Sequence, residues 1–472
     1  MNRIWLCALI LSPLGSFAAP VDWTILESND TFDLFMNGQA AGTLVQAIAV
    51  DEGSAAIHLD RRILVGSGTD GAQSAQGMEL TEQRSYGFDG MLQNARQEIK
   101  SASGSSAWRL YPQEKTGWNL AVIAGNTERN VSVATVTENL RATWSILSGI
   151  RNRTIKVNAV FFDTAFELTS AQTVSTMIRC TETPAKKNGF TWRFSCKNNV
   201  LDRDEAWHID TLGRTVYQEL FPFVARKKAV SAVASKTETS FSLLSLIEAL
   251  AVPAKRPAGT REVIRVSFDG PMKPDSSVRS FYRPKDRAWL LINVPQQCLS
   301  TGPAPDAAAL SVYTAATITM QSDDVRISRV ADSLCKRAKD RCDSIRACYE
   351  FVFYSLKKRY APTFSNAIET IEAGYGDCGE HAVLLGALLR SQGIPARIMF
   401  GLVYVPGKKG YYYHAWVTAE SHGAWVFVDP ALGDFPAIKD RIPLVIDDSG
   451  KEILQIAKVI GKIRVEYEKQ EK

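Results

Sequence analysis

The run GYGDCGEHAVLLGALL, residues 374–389, sets one cysteine between an acid and a glycine where an apolar stretch begins. Asp377 can cap a helix, the residues behind it are apolar nearly all round, and Gly393 with Pro395 closes the segment. The reading is a buried helix with Cys378 in its first turn. There, unpaired backbone N–H groups and the positive end of the helix dipole favour a thiolate. An amide beside Cys378 also suits the oxyanion of a tetrahedral intermediate. Position alone fits a structural or disulfide-bonded cysteine equally.

Outward from this helix the periodicity changes on both sides. Upstream, SDDVRISRVADSLCKRAKD (322–340) and DSIRACYEFVFYSLKKRY (343–360) carry apolar residues at helical spacing, with Asp at the start of each. Downstream, ARIMFGLVYV (396–405), GYYYHAWVTA (410–419) and AWVFVDPAL (424–432) read as strands joined by short polar turns. Helices first and antiparallel strands second make this an α+β domain.

A thiol nucleophile needs a base, and the base needs an orienting group. Of the five histidines, His414 lies on the second of these strands, and Asp429 ends the third. If the loop is Ser421-His422, or residues 420–423, His414 stands directly opposite Asp429. A three-residue loop, 421–423, sets it opposite Pro430 instead. His381 is a rival base three residues after Cys378, but helical geometry tends to point such a side chain along the helix. A zinc site of Cys378, His381, His414 and His422 matches no usual spacing.

Four motifs together carry a resemblance: Gly-Asp-Cys opening a helix, Gly-Ile-Pro-Ala-Arg after it, His-Ala-Trp-Val on one strand and Trp-Val-Phe-Val-Asp-Pro on the next. The stretch from about 323 to 445 resembles a bacterial transglutaminase-like domain of the papain-like cysteine-enzyme superfold. The resemblance implies Cys378 as nucleophile, His414 as general base and acid, and Asp429 as orienting carboxylate. It implies acyl transfer through a thioester, with water or an amine as acceptor and no cofactor. It assigns no oxyanion side chain; Asn366 and Tyr360 are nearby candidates. The other class kept open is a non-catalytic binding or assembly protein on the same scaffold.

The rest of the chain reads as follows. Met1-Asn2-Arg3, an apolar run and SFAAP give the order of a signal peptide over 1–18, cleaved after Ala18. The expectation is an exported, periplasmic or secreted protein without a membrane span. Residues 19–225 read as a β-rich antiparallel domain, with Asn37-Gly38 a hairpin signal. Residues 226–315 form a linker and a small β unit, 316–447 the transglutaminase-like domain, and 448–472 a tail. With 472 residues and net charge +5 but no dense basic block, the chain gives no support for nucleic-acid binding. Its partners are read as peptide or protein substrates, cell-wall peptides among them; the oligomeric state is not legible.

Eight cysteines less Cys7 leave seven, an odd number. Folding the chain about Asn188 predicts a cross-strand bridge between Cys180 and Cys196. Cys298, Cys335, Cys342 and Cys348 allow three pairings, and Cys378 is the candidate for the free thiol. A disulfide at Cys378 is the remaining alternative.

Overall fold

The computed structural model describes residues 21–36, 38–66, 78–101, 104–113, 117–124, 127–169, 171–199, 204–220, 223–228, 251–254, 262–268, 274–291, 297–302, 310–359, 366–437, 441–447 and 460–469. The signal-peptide segment, the connector at 229–250 and Tyr360 lie outside these. Among the described residues no helix is long and apolar enough to cross a membrane.

The molecule is α+β, with a large antiparallel β region before a region of helices and strands. The N-terminal region is one fourteen-stranded sheet. Strands β1 (Ser28–Met36) to β8 (Thr127–Val133) form one meander, and β9 (Val160–Glu167) to β14 (Phe223–Lys227) form a second. They join where β1 pairs with β14. As the sequence predicts, β1 meets β2 (Gln39–Asp51) across a two-residue turn, with Met36 opposite Gln39 and Gly38 at φ +81°. Both meanders feed one core. Ile57, Trp108 and Leu110 of the first meet Phe166, Phe194 and Ile209 of the second, with Ile146 of helix α1 (Arg141–Arg151). Arg84 ties the two together from inside, paired with Glu82 and Glu138 and donating to the Phe166 carbonyl at 3.0 Å.

The predicted Cys180–Cys196 bridge does not form. Cys180 stands opposite Phe194 and Cys196 opposite Ile178, a two-residue offset. Diagonal neighbours have Cβ atoms too far apart for the ~3.8 Å that a disulfide needs, and both cysteines are free thiols.

Among the described residues, the C-terminal region is built from two larger sheets, a two-stranded one and four α-helices. Strand β15 (Val252–Pro253) heads one sheet, and β16 (Glu262–Phe268), β17 (Tyr282–Lys285) and β18 (Ala288–Leu291) belong to the other. Helices α2 (Val325–Cys335) and α3 (Arg341–Ser355) are capped by Asp324 and Asp340. Strand β19 (Lys357–Lys358) pairs with β20 (Tyr375–Gly376) on either side of helix α4 (Ala367–Ala373). Helix α5 (Cys378–Ser391) follows, buried at every residue from Glu380 to Arg390. That is what an apolar sequence with no polar face requires. Strands β21 (Ala396–Val405), β22 (Gly410–Ser421) and β23 (Ala424–Val428) pack on it, and β24 (Arg441–Asp447) pairs with β21.

The tail is not a separate piece. Strand β25 (Ile463–Lys469) pairs along the whole of β16. Ile463 and Val465 of β25 share a core with Trp416 and Tyr411 of β22, and the Tyr467 and Tyr411 hydroxyls are 2.9 Å apart. The small β unit and the tail therefore form the outer layer of the α+β domain.

Candidate active site

Asp377 fixes where α5 begins. Its carboxylate accepts from the Gly379 amide at 2.7 Å, and Glu380 reaches back to accept from the Asp377 amide at 2.8 Å, a capping box. Cys378 is thus the first helical residue, and its own amide stays outside that cap. Cys378 keeps some exposed surface as a residue, but its thiol is enclosed.

Strand β22 explains what the thiol meets. On one side β22 is paired throughout with β21. On the other, β15 covers only Gly410 and Tyr411, and β23 covers only Val417 to Ser421. Among the described residues, therefore, none adds a strand along 412–416 on that edge. The Ala415 amide, within this stretch, acts to lower the Cys378 thiol. His414 is the residue beside it.

His414 and Asp429 do meet, but not as the sequence register predicts. The β22–β23 turn is His422-Gly423, with φ +50° and +84° and Ser421 opposite Ala424. Two positive φ angles make a type I′ turn, whose twist matches that of the strands. This register continues to put Asp429 across from Trp416, so the imidazole and carboxylate meet along the diagonal, on the face that His414 shares with Trp416. His414 Nε2 lies 2.8 Å from Asp429 Oδ2. The Trp416 indole stacks against the imidazole at 6.3 Å between centroids. Gly401, opposite His414, makes room for that indole: a Cβ there would lie 2.6 Å from Trp416 Cη2 and 2.2 Å from the Ile442 carbonyl.

Asp429 is fully buried and fully partnered. Its Oδ1 accepts from the Ala431 and Leu432 amides, both at 3.0 Å. Its Oδ2 accepts from Arg441 Nη2 at 2.5 Å as well as meeting His414. The same Arg441 nitrogen reaches Asp434 at 2.6 Å. Burial acts to raise the Asp429 carboxyl, but His414 and Arg441 outweigh it and hold the group well below the usual carboxylate range. Sequence reasoning missed Arg441. The only signal was one cation at the head of the apolar run IPLVI.

The thiol itself runs the other way. Burial pushes Cys378 well above its ordinary value, with the Asp377 and Asp429 carboxylates adding to it and the Ala415 amide working against it. Asp377 is in turn pushed up by burial and by Glu380. The helix-start argument for a thiolate is outweighed here by desolvation.

The rival residues are placed elsewhere. His381 is buried, with Nδ1 2.6 Å from the Asp377 carbonyl of its own helix. Asn366 spends its side-chain oxygen as the cap of α4, accepting from Ile368 and Glu369. His422 sits in the turn eight residues from His414, about 25 Å along the strand, which separates it from any zinc site at Cys378. Cys298 and Cys342 form a disulfide, and Cys378 is bridged to nothing.

Residues 328–430 match the profile of the Transglutaminase-like superfamily, 103 of the 472 residues. This part of the chain is a transglutaminase-like domain. The chain matches none of the curated proteins. Two solved structures are similar to it. One is a provisionally named cysteine protease from Cytophaga hutchinsonii, at 13% identity over 45% of this chain and 87% of that one, TM-score 0.30. The other is a provisionally named protease from Parabacteroides distasonis ATCC 8503, at 13% identity over 80% of this chain and 64% of that one, TM-score 0.22. Neither superposition is close enough to transfer a residue's role.

Proposed function

We propose that this protein is an exported cysteine-dependent acyl transferase or amide hydrolase acting on peptide or protein amides. One observation carries the reading: His414, the neighbour in sequence of the Ala415 amide that acts on the Cys378 thiol, is held by a buried, ionised carboxylate. The charge–apolar–small order of residues 1–18 supports export to the periplasm or beyond.

With Nε2 turned to Asp429, His414 has Nδ1 left for the thiol proton. Because burial keeps the resting sulfur protonated, the proton leaves as the sulfur attacks. Cys378 adds to the amide carbonyl while His414 takes its proton. The oxyanion forms beside the helix start, where the Cys378 amide is the nearest candidate donor. His414 then protonates the departing amine, the C–N bond breaks, and a thioester remains. Water or an amine attacks the thioester, His414 removes its proton, and the thiol is restored. Asp429 fixes the imidazole tautomer and orientation.

The raised thiol favours a second reading, a binding or assembly protein on a transglutaminase-like scaffold. Turnover separates the two. Glutamine-containing peptides with hydroxylamine should give hydroxamate or free carboxylate with the wild type, and neither with Cys378→Ala. An unchanged rate in Cys378→Ala ends the enzymatic reading at this site.

A further inference from the structure

Two thiols behind the nucleophile helix lie in contact. Cys335, the last residue of α2, and Cys348, in the middle of α3, have sulfurs 3.7 Å apart. With Cys298 and Cys342 already joined, they are the only pair left of the four cysteines in this part of the chain. We propose that Cys335 and Cys348 are a disulfide-exchange site whose oxidised form is the protein's second disulfide, leaving Cys180, Cys196 and Cys378 as thiols.

The two sulfurs are unequally placed. Cys348 is fully buried, among Ile345, Val352 and the α5 leucines, whereas Cys335 is partly exposed at the helix end. Hydrogen bonding from Cys348 outweighs burial and draws the Cys335 thiol down to about 7, while Cys348 is pushed up. The accessible sulfur is thus the one that ionises first, the arrangement that thiol exchange requires. Closure to a bond of about 2.05 Å asks for roughly 1.7 Å of sulfur movement.

The chemistry needs a disulfide donor, oxidised glutathione or a thiol oxidoreductase. The Cys335 thiolate attacks one donor sulfur, breaking the donor S–S bond and expelling a thiolate. The Cys348 thiolate then attacks the mixed disulfide at Cys335 and expels the second donor sulfur as a thiolate. One S–S bond forms, two cysteine protons leave, and two electrons pass to the donor. The bond would fasten α2 to α3, while Cys298–Cys342 fastens the 297–302 segment to the start of α3. Both staples lie on the helix that backs α5.

The test is peptide mapping without reduction. Purified protein is treated with oxidised glutathione, denatured in iodoacetamide and digested. The expected products are a peptide linked through Cys335 and Cys348, a second linked through Cys298 and Cys342, and carbamidomethyl groups on Cys180, Cys196 and Cys378. Alkylation of both Cys335 and Cys348, or glutathione left on Cys335 with Cys348 alkylated, overturns the proposal. As an independent readout, reduction should lower the thermal midpoint more in the wild type than in Cys335→Ser, which has lost this bond already. An equal shift in the two proteins contradicts it. Neither readout depends on the activity proposed above.

Discussion

Asp377 does two things at the start of α5: it caps the helix and sets a negative charge beside the thiol. Asn caps as well as Asp but carries no charge. Asp377→Asn should therefore keep the fold and lower the pH midpoint of Cys378 alkylation by iodoacetamide. The wild-type midpoint should lie above the free-cysteine value of about 8.5, because burial and two carboxylates oppose the thiolate. A midpoint unmoved by Asp377→Asn refutes the assignment of that charge. Arg441 acts on the other carboxylate. Its guanidinium keeps Asp429 ionised in a site with no solvent, so Arg441→Gln should cost about 3–5 kcal/mol, and Arg441→Lys distinctly less. The sign with pH follows from linkage. Asp429 has a folded-state pKa below its unfolded value of about 3.9, so its stabilisation is present above that pH and lost on acidification through the lowered native value. Acid unfolding of Arg441→Gln, followed by circular dichroism, should begin at higher pH than in the wild type. These residue-scale balances were the least legible in sequence. Cys378, His414 and Asp429 could be named from motif and order, but the burial that reverses the helix-start argument depends on residues far away in the chain.

Strands and helices were more legible than their pairings. The cap at Asp377, the cap of α2 and the β1–β2 turn follow from local chemistry, so short segments announce them, whereas α3 is capped by Asp340 and not by the Asp343 at which the sequence reading starts it. The β22–β23 register did not, because it turns on whether two residues or more close the loop. His422 takes a positive φ, which few non-glycine residues do, and nothing in Ser-His-Gly marks that choice. The same uncertainty of register paired Cys180 with Cys196 on paper and separates them in the fold. The pairing of the tail strand was not legible for a different reason: β25 finds its partner, β16, about 200 residues earlier in the chain. Its role is testable. A chain ending at residue 459 exposes the β16 edge and removes Ile463, Val465 and the Tyr467 hydroxyl from the layer behind β22. It should lose at least about 3 kcal/mol, given the cost of emptying two buried aliphatic sites. A thermal midpoint equal to that of the full chain contradicts the shared core.

At the scale of the whole molecule, the described residues leave one strand edge at the site incomplete. Strand β22 carries β15 at one end and β23 at the other, and the uncovered middle faces the first turn of a helix buried along its length. The β-rich region touches this domain through Arg129, which donates to the Thr317 carbonyl at 3.2 Å and pairs with Asp323 at 2.5 Å, just before α2. The central claim is that sulfur, imidazole and carboxylate act as one unit. Its most direct measurement needs no knowledge of the natural substrate: the rate and position of acetylation by p-nitrophenyl acetate, read by intact mass and peptide mapping. The account predicts one acetyl group, on Cys378, with the rate falling about 10²-fold or more in His414→Ala and substantially in Asp429→Asn. Acetylation at another residue, or a Cys378 rate indifferent to His414, would contradict it.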